Sequence, residues 1–259
     1  MKTLIPRVIV GISLIGTGLA QGSHFFKSAD GNISLRYGPF QFELQKDGTQ
    51  RYIMSGGVLA TSLAEGLRVS AERGTAYFAN SGKLTAFKSL DAEGGVVMLK
   101  QSHTAKQPRS TEIRCSKGRY EAGIEDSTVR LSGPVHIFDR DEATKRVLTI
   151  SGSSGVATLA SRPKGKVSPL RSAHLSGPIV LDIAQAPTKS GEKPGQVHAT
   201  GDALTLENSG ASPLIRMTGH VLIHGKQGAF NGDMGTFQNV LFRLNSLRQI
   251  SNIEAGGGK

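Results

Sequence analysis

A seven-residue pattern recurs along this chain and constrains its fold more than any other feature. The pattern is an apolar residue, Ser or Thr, Gly, any residue, an apolar residue, any residue, and an apolar residue. Its clear copies are residues 131–137, 175–181 and 217–223, and weaker copies are residues 54–60 and 92–98. The central glycines lie 38, 39, 44 and 42 residues apart. Such near-constant spacing predicts stacked supersecondary units of about 40 residues.

Each copy of the pattern is predicted to be a β-strand. Its apolar positions alternate, which places them on one face of a strand. Pro134 and Pro178 directly follow the glycine and donate no backbone hydrogen bond, so they belong at an edge or a bulge. We therefore expect a bulge or bend at each repeated glycine. Residues 60–67 are the one place where a short helix is expected.

The N-terminus is predicted to be an export signal, residues 1–20. Lys2 and Arg7 provide its positive charge, residues 8–20 are uncharged and largely apolar, and Gly18 and Ala20 have the small side chains that signal peptidase requires. We place the cleavage after Ala20 and expect the mature protein to be exported. A retained membrane anchor is the alternative, but residues 8–20 cover only about 20 Å of helix against a hydrocarbon core of about 30 Å.

The chain is basic, with 31 Lys and Arg residues against 20 Asp and Glu residues. Such an excess suggests a polyanionic partner. The cations are spread along the chain except for Arg162, Lys164, Lys166 and Arg171, which we predict to contact an anionic head group. Export argues against nucleic acid and favours an anionic envelope glycolipid or polysaccharide. A solvated surface without a ligand remains the alternative.

The residues offer no recognisable catalytic or metal-binding set, so we expect no enzyme activity, metal or cofactor. Four histidines lie at odd offsets from the repeated glycines and are expected to face solvent; they are His136, His174, His220 and His224. Asp139, Asp141 and Glu142 resemble the start of a calcium loop, but the required Gly and Glu do not follow. A charged hairpin turn with Arg140, Lys145 and Arg146 is favoured there. The single cysteine, Cys115, is expected in the core.

The apolar positions of the three clear copies form the candidate binding surface. They are Leu131, Val135, Ile137, Leu175, Ile179, Leu181, Met217, Val221 and Ile223. These side chains are either a closed core, which is the usual arrangement, or the lining of an apolar trough. Alternation alone does not separate the two.

The pattern resembles a strand of the OstA-like periplasmic lipopolysaccharide-transport proteins. The similarity rests on residues 131–137 and 217–223, on the lead-in 199–206 and on the return segment 232–237. It is best over residues 110–245 and fades over 25–110, where the repeats are degenerate. The chain is also longer than the single-domain members of that family.

This resemblance implies an all-β fold of stacked antiparallel strands that form an open, V-shaped β-jellyroll over residues 21–245. It further implies that acyl chains sit in the apolar interior and that protomers or related β-jellyroll proteins join end to end by strand addition. We expect the open edge to be residues 240–244 and the tail 246–259 to be disordered, so that it leaves that edge uncovered.

The leading hypothesis is an exported, non-enzymatic carrier or bridge for lipopolysaccharide-type glycolipid. One rival is a structural β-solenoid envelope or adhesin protein with a closed apolar core. The other rival, a polysaccharide lyase on a parallel β-helix, needs a clustered acidic and basic set that the sequence does not provide.

Overall fold

A computed structural model describes nine stretches of the chain. They are residues 23–78, 87–102, 109–142, 145–161, 169–185, 195–208, 213–227, 230–245 and 250–257. The predicted export signal and three of the predicted head-group cations, Arg162, Lys164 and Lys166, lie outside these residues.

The described residues form sixteen β-strands in one antiparallel sheet. The strands are β1 His24–Lys27, β2 Ile33–Tyr37, β3 Phe40–Leu44, β4 Gln50–Met54, β5 Val58–Ser62, β6 Leu67–Ala71, β7 Arg73–Phe78, β8 Phe87–Gln101, β9 Arg109–Glu121, β10 Asp126–Asp141, β11 Arg146–Ala160, β12 Leu170–Gln185, β13 Gly195–Glu207, β14 Leu214–Gln227, β15 Phe230–Leu244 and β16 Ile250–Gly256. The sheet is open and does not close into a barrel. The all-β fold class expected from the sequence is confirmed.

The sheet is folded over along its middle into two walls. On one side of β8 the ladder continues through β6, β5, β2 and β1, which we call the first wall. On the other side it continues through β7, β4 and β3, which we call the second wall. β8 itself pairs with β7 through residues 87–93 and with β6 through residues 97–100. From β8 to β15, each long strand therefore crosses from one wall to the other.

A bend in each long strand joins the walls, and the repeated glycine lies at this bend in every second strand. The pairing register shifts between Ser132 and Val135 in β10 and between Ser176 and Ile179 in β12. Gly133 and Gly177 have φ angles of 85° and 95°, a region that side chains with a Cβ disfavour. The predicted bulges are confirmed, and Pro134 and Pro178 sit inside them.

The weak copy of the repeat at residues 54–60 marks the same bend at a break between two strands. Gly56 and Gly57 separate β4 on the second wall from β5 on the first wall. Likewise, Gly38 and Pro39 separate β2 from β3. One repeat is thus a hairpin of two wall-crossing strands, and neighbouring repeats extend the same sheet.

Two sequence-based expectations about elements are wrong. Residues 60–67 are not helical, because β5 ends at Ser62 and a turn closed by a 3.1 Å hydrogen bond from Gly66 N to Leu63 O leads into β6. The expected disordered tail contains β16, which pairs antiparallel with residues 239–244 of β15. Ile250 and Ile253 pack against the core, and the Arg243 guanidinium lies 2.7 Å from a carboxylate oxygen of Glu254. The edge predicted at residues 240–244 is therefore covered on its outer side.

No helix occurs among the residues described above, and so none of them forms a helix that could cross a membrane.

Candidate functional site

The nine predicted apolar residues all point into the space between the walls. Leu131, Leu175 and Met217 precede the bend and lie on the second wall, and the other six follow the bend and lie on the first wall. They are brought together in one apolar cluster. The structure therefore confirms that they share one face, as alternation predicted.

The interior extends well beyond those nine residues. Cross-strand pairing places one apolar residue from each of eleven strands in a single unbroken row along the first wall: Phe26, Leu35, Ala60, Val69, Met98, Ile113, Ile137, Ile150, Leu181, Ala199 and Ile223. Only Ile137, Leu181 and Ile223 belong to the clear copies of the glycine pattern, and so those copies predict only these three as site residues. The alternating apolar residues of the intervening strands were the available signal.

Over most of its length this interior is closed. The nine predicted residues are at most 4% exposed, with Leu131 the highest. Their side chains are packed against the opposite wall, so in this structure they form a core and not an open trough.

The interior is open at the end formed by β3. Phe40, Phe42 and Leu44 pair with Met54, Tyr52 and Gln50 of β4, which places them on the inner face. They are nevertheless 41%, 40% and 66% exposed. Phe42 contacts Tyr52 with ring centroids 5.1 Å apart, which makes this exposed surface continuous with the buried aromatic residues. Sequence reasoning missed this end, although the alternation of residues 40–44 indicated it.

Buried polar groups link the walls at the margin opposite the bend. Lys100 on the first wall is 0% exposed, and its Nζ lies 3.6 Å from a carboxylate oxygen of Glu65. The same oxygen accepts a short hydrogen bond from the hydroxyl of Tyr120, which belongs to the second wall. Lys100 Nζ also lies 5.6 Å from the centroid of the Tyr120 ring. This arrangement, which we call the inter-wall latch, consists of Glu65, Lys100 and Tyr120.

Burial is the main cause of the shifted pKa values of Lys100 and Tyr120 in the latch. Loss of hydration lowers the pKa of Lys100, and the nearby Glu65 carboxylate offsets this only in part. Loss of hydration also raises the pKa of Tyr120 above its usual value, and Glu65 raises it further. The phenol therefore stays neutral and donates to Glu65, while its oxygen is also 2.8 Å from Ser127 Oγ.

A second buried charged group, centred on Asp139, lies on the inner face of the first wall. It belongs to the residues that resemble a calcium loop. The carboxylate of Asp139 accepts hydrogen bonds from Arg146 at 2.6 Å and from Thr111 Oγ1 at 2.9 Å. Asp141 pairs with Arg109, and Glu142 lies 3.3 Å from Lys145. The expectation of a charged hairpin turn is confirmed for Arg146 and Lys145, whereas Arg140 instead lies over the ring of Phe138.

The remaining candidate residues are on the outer face, except for Cys115, which is buried. Arg171, the one described member of the predicted head-group set, is partly exposed on β12 and lies 3.4 Å from Asp126. The four histidines are exposed as expected, and among the described residues no group of His, Cys, Asp and Glu could hold a metal ion. Cys115 is buried, and burial raises its pKa to about 11, so it remains a thiol.

No protein-family model, curated protein or solved structure matches this chain. The resemblance to the OstA-like proteins remains a prediction from the sequence pattern. Any function assigned to the chain thus rests on its own residues and their geometry.

Proposed function

We propose that this protein is an exported, non-enzymatic carrier or bridge that holds the acyl chains of a lipopolysaccharide-type glycolipid between its two walls. The observation that carries the proposal is the unbroken apolar row along the first wall, which runs from β1 to β14. A continuous apolar path of this kind suits a hydrocarbon chain, which has no polar group to satisfy along its length.

The way the walls are joined allows lipid to enter. The backbone ladders of the described strands run within each wall or through the bend, and side chains make the contacts between walls. Parting the walls therefore breaks no ladder. The apolar area exposed would cost about 25 cal/mol per Å², but acyl chains cover the same area and offset that cost.

The open end at β3 provides the place where a chain would first insert. Its exposed aromatic and aliphatic side chains lie on the same inner face as the buried row. A lipid tail that enters here moves from one apolar contact to the next without crossing a charged residue of β3, since Glu43 points to the other face.

Strand addition at the sheet ends would let copies of this protein, or related β-jellyroll proteins, form a continuous path. The available edges are β1 and β3 at one end and, at the other, the part of β15 that β16 does not cover. An edge strand offers unpaired N–H and C=O groups that another strand can pair with. We place this assembly in the periplasm, with residues 1–20 as the cleaved signal.

One observation favours a second candidate function, a structural envelope protein with a permanently closed core. All nine predicted lining residues are buried in the present structure. In that case, the protein would take up no lipid under any condition.

Site-specific photo-crosslinking tests the carrier proposal. A photoreactive amino acid replaces Val135, Ile179 or Val221, one at a time, and the outward-facing His136 on β10 and His220 on β14 serve as controls. We expect crosslinked lipid at the inner positions and none at the outer ones.

The closed-core candidate predicts the opposite outcome for the inner positions. If folded variants with the photoreactive group at all three inner positions capture no lipid, the carrier proposal is wrong. Capture at His136 and His220 alone would also overturn it, because lipid would then bind the outer face. Circular dichroism checks that each variant retains its β-sheet.

A further inference from the structure

The outer face of the second wall carries a cleft that reaches Phe40, Met54 and Leu131 of the apolar interior only at its margin. It has a volume of about 720 Å³ and is formed by the start of β3, by β4, β7, β8 and β9, and by the first half of β10. Two rows of outward side chains border it. One row contains Thr75, Asp91, Arg119 and Arg130, which are paired across β7 to β10, and the other contains Arg73, Glu93 and Lys117. The two rows lie on either side of Gly74, Ala92 and Gly118, whose Cβ positions face the interior, so that between the rows the cleft meets backbone.

The cleft is rich in cations. Five line it, namely Arg51, Arg73, Lys117, Arg119 and Arg130, against the two carboxylates Asp91 and Glu93. Cations gathered in a concave surface raise the local potential and attract anions more strongly than the same charges on a convex surface. Arginines add planar donor pairs that match phosphate and carboxylate oxygens.

Asp91 and Glu93 pair with three of the cations, and Arg51 and Arg119 also pair with Glu43 and Glu121, each at 2.8 Å. Glu93 lies 3.3 Å from Arg73 and 3.1 Å from Lys117, and Asp91 lies 3.5 Å from Arg119. Arg130 is exposed, and among the described residues no ion pair is found for it. It is therefore the cation whose donors are most available to a ligand.

The cleft also contains groups that suit a sugar. Asp91 and Glu93 can accept hydrogen bonds from hydroxyl groups, and Ile53 and Tyr77 contribute apolar surface. The Arg51 guanidinium lies over the Tyr77 ring, 5.9 Å from its centroid. The volume lies within the range of small-molecule sites and exceeds what a single inorganic anion needs.

We infer that this cleft binds a phosphorylated or otherwise acidic saccharide, with Arg130 and Arg119 at the anionic group and Asp91 and Glu93 at the hydroxyls. The inference does not depend on the lipid proposal, because the cleft lies on the outer face and needs no acyl chain. The same chemistry could belong to a free sugar phosphate or to the sugar head group of a glycolipid.

Isothermal titration calorimetry with trehalose 6-phosphate tests the inference on the full chain. Inorganic phosphate and unmodified trehalose are the comparison ligands. We expect binding of trehalose 6-phosphate that is at least about tenfold tighter than that of either comparison ligand, since only this probe uses both parts of the cleft. The affinity should fall as salt is added, because the anionic contacts are exposed.

Two substitutions locate the site. Arg130→Gln should weaken binding by about tenfold or more, since it removes a charge-assisted contact. Arg68→Gln is the matched control, because Arg68 is also an exposed arginine on an outward position but lies on the first wall. It should leave the affinity unchanged.

Vesicles with and without a phosphorylated-disaccharide lipid distinguish the two sources of the ligand. Arg130-dependent binding to the lipid alone would assign the cleft to a head group, and binding to the soluble probe as well would assign it to the sugar phosphate itself. The inference is overturned if neither form binds, if inorganic phosphate binds as tightly as trehalose 6-phosphate, or if Arg130→Gln and Arg68→Gln weaken binding equally.

Discussion

At the residue scale, the costliest groups in this fold are the charges buried between its walls. Lys100 and Glu65 lose their hydration there, and an ion pair repays such a loss only when hydrogen bonds complete it. Tyr120 provides one of these bonds from the opposite wall. The latch therefore ties the walls together through a polar contact at the margin where they would otherwise separate.

Tyr120→Phe should destabilise the protein by about 1–3 kcal/mol at neutral pH, because the buried Glu65 carboxylate loses a donor. The raised pKa of Tyr120 adds a pH dependence. Its contribution is fully present below pH 10, where the unfolded phenol is also protonated, and is lost as the pH rises above 10. Urea unfolding of both proteins from pH 7 to 11 should show the difference shrinking above pH 10. Parallel curves would contradict this account.

Gly177 shows why the bend requires glycine. Its φ of 95° disfavours any side chain, and a Cβ there would collide with the Ser153 side chain. Gly177→Ala should therefore lower the free energy of unfolding by about 1–3 kcal/mol. Gly256→Ala is the control, because a Cβ at Gly256 meets nothing within 4 Å. Urea denaturation measures both; equal effects would show that the bend tolerates a side chain.

At the scale of elements, short strands finish the sheet: β1 and β3 end the two walls at one end, and β16 ends only the second wall at the other. β1 pairs with β2 on the first wall, and β16 pairs with β15 on the second wall. β16 covers residues 239–244, in which Val240, Phe242 and Leu244 are buried. It thus protects an edge that would otherwise expose both backbone groups and apolar side chains.

Truncation after Asn245 should make the protein self-associate, because it removes β16 and exposes that edge. Sedimentation over a hundredfold concentration range should show a larger average mass for the truncated chain than for the full chain. Glu254→Gln is the control, since it removes the ion pair with Arg243 and keeps the strand. An unchanged mass after truncation would mean that β16 does not shield an assembly edge.

The sequence predicted the strands whose apolar residues alternate regularly and missed a strand that lacks this alternation. In β10, β12 and β14, strict alternation about a glycine predicted the strands, their inner faces and their bulges. β16 was not predicted because its Ser, Asn and Gly residues interrupt the apolar alternation, although its two isoleucines pack on β15. The latch was missed for a different reason: Glu65, Lys100 and Tyr120 are far apart in sequence and meet only when the sheet folds over.

At the scale of the whole molecule, the protein is an open sheet folded along a line of bulges, with an apolar interior and a charged exterior. The apolar row crosses eleven strands, whereas the cationic cleft occupies the outer face of the second wall. Away from the bend, only side-chain contacts hold the walls together. Backbone hydrogen bonds therefore stabilise each wall, while the two walls can separate from each other. This combination is what the carrier proposal requires.

An acidic residue placed in the interior should interfere with lipid binding while leaving the exterior cleft intact. Ile179→Asp would bring a carboxylate against hydrocarbon, which costs several kcal/mol. We expect it to lose uptake of an apolar fluorescent probe, while His136→Asp, on an outward position, retains uptake. Circular dichroism would establish that the Ile179 variant is folded. Full uptake by a folded Ile179→Asp variant would exclude the interior as the binding site.

Mass spectrometry of lipid that co-purifies with the protein tests the central claim most directly. The protein is purified from the envelope fraction without detergent and then extracted with organic solvent. The carrier account predicts a stoichiometric acylated glycolipid that is absent from the Ile179→Asp variant prepared in the same way. A folded wild-type protein that repeatedly yields no lipid, and that takes none up when lipid is added, would contradict it.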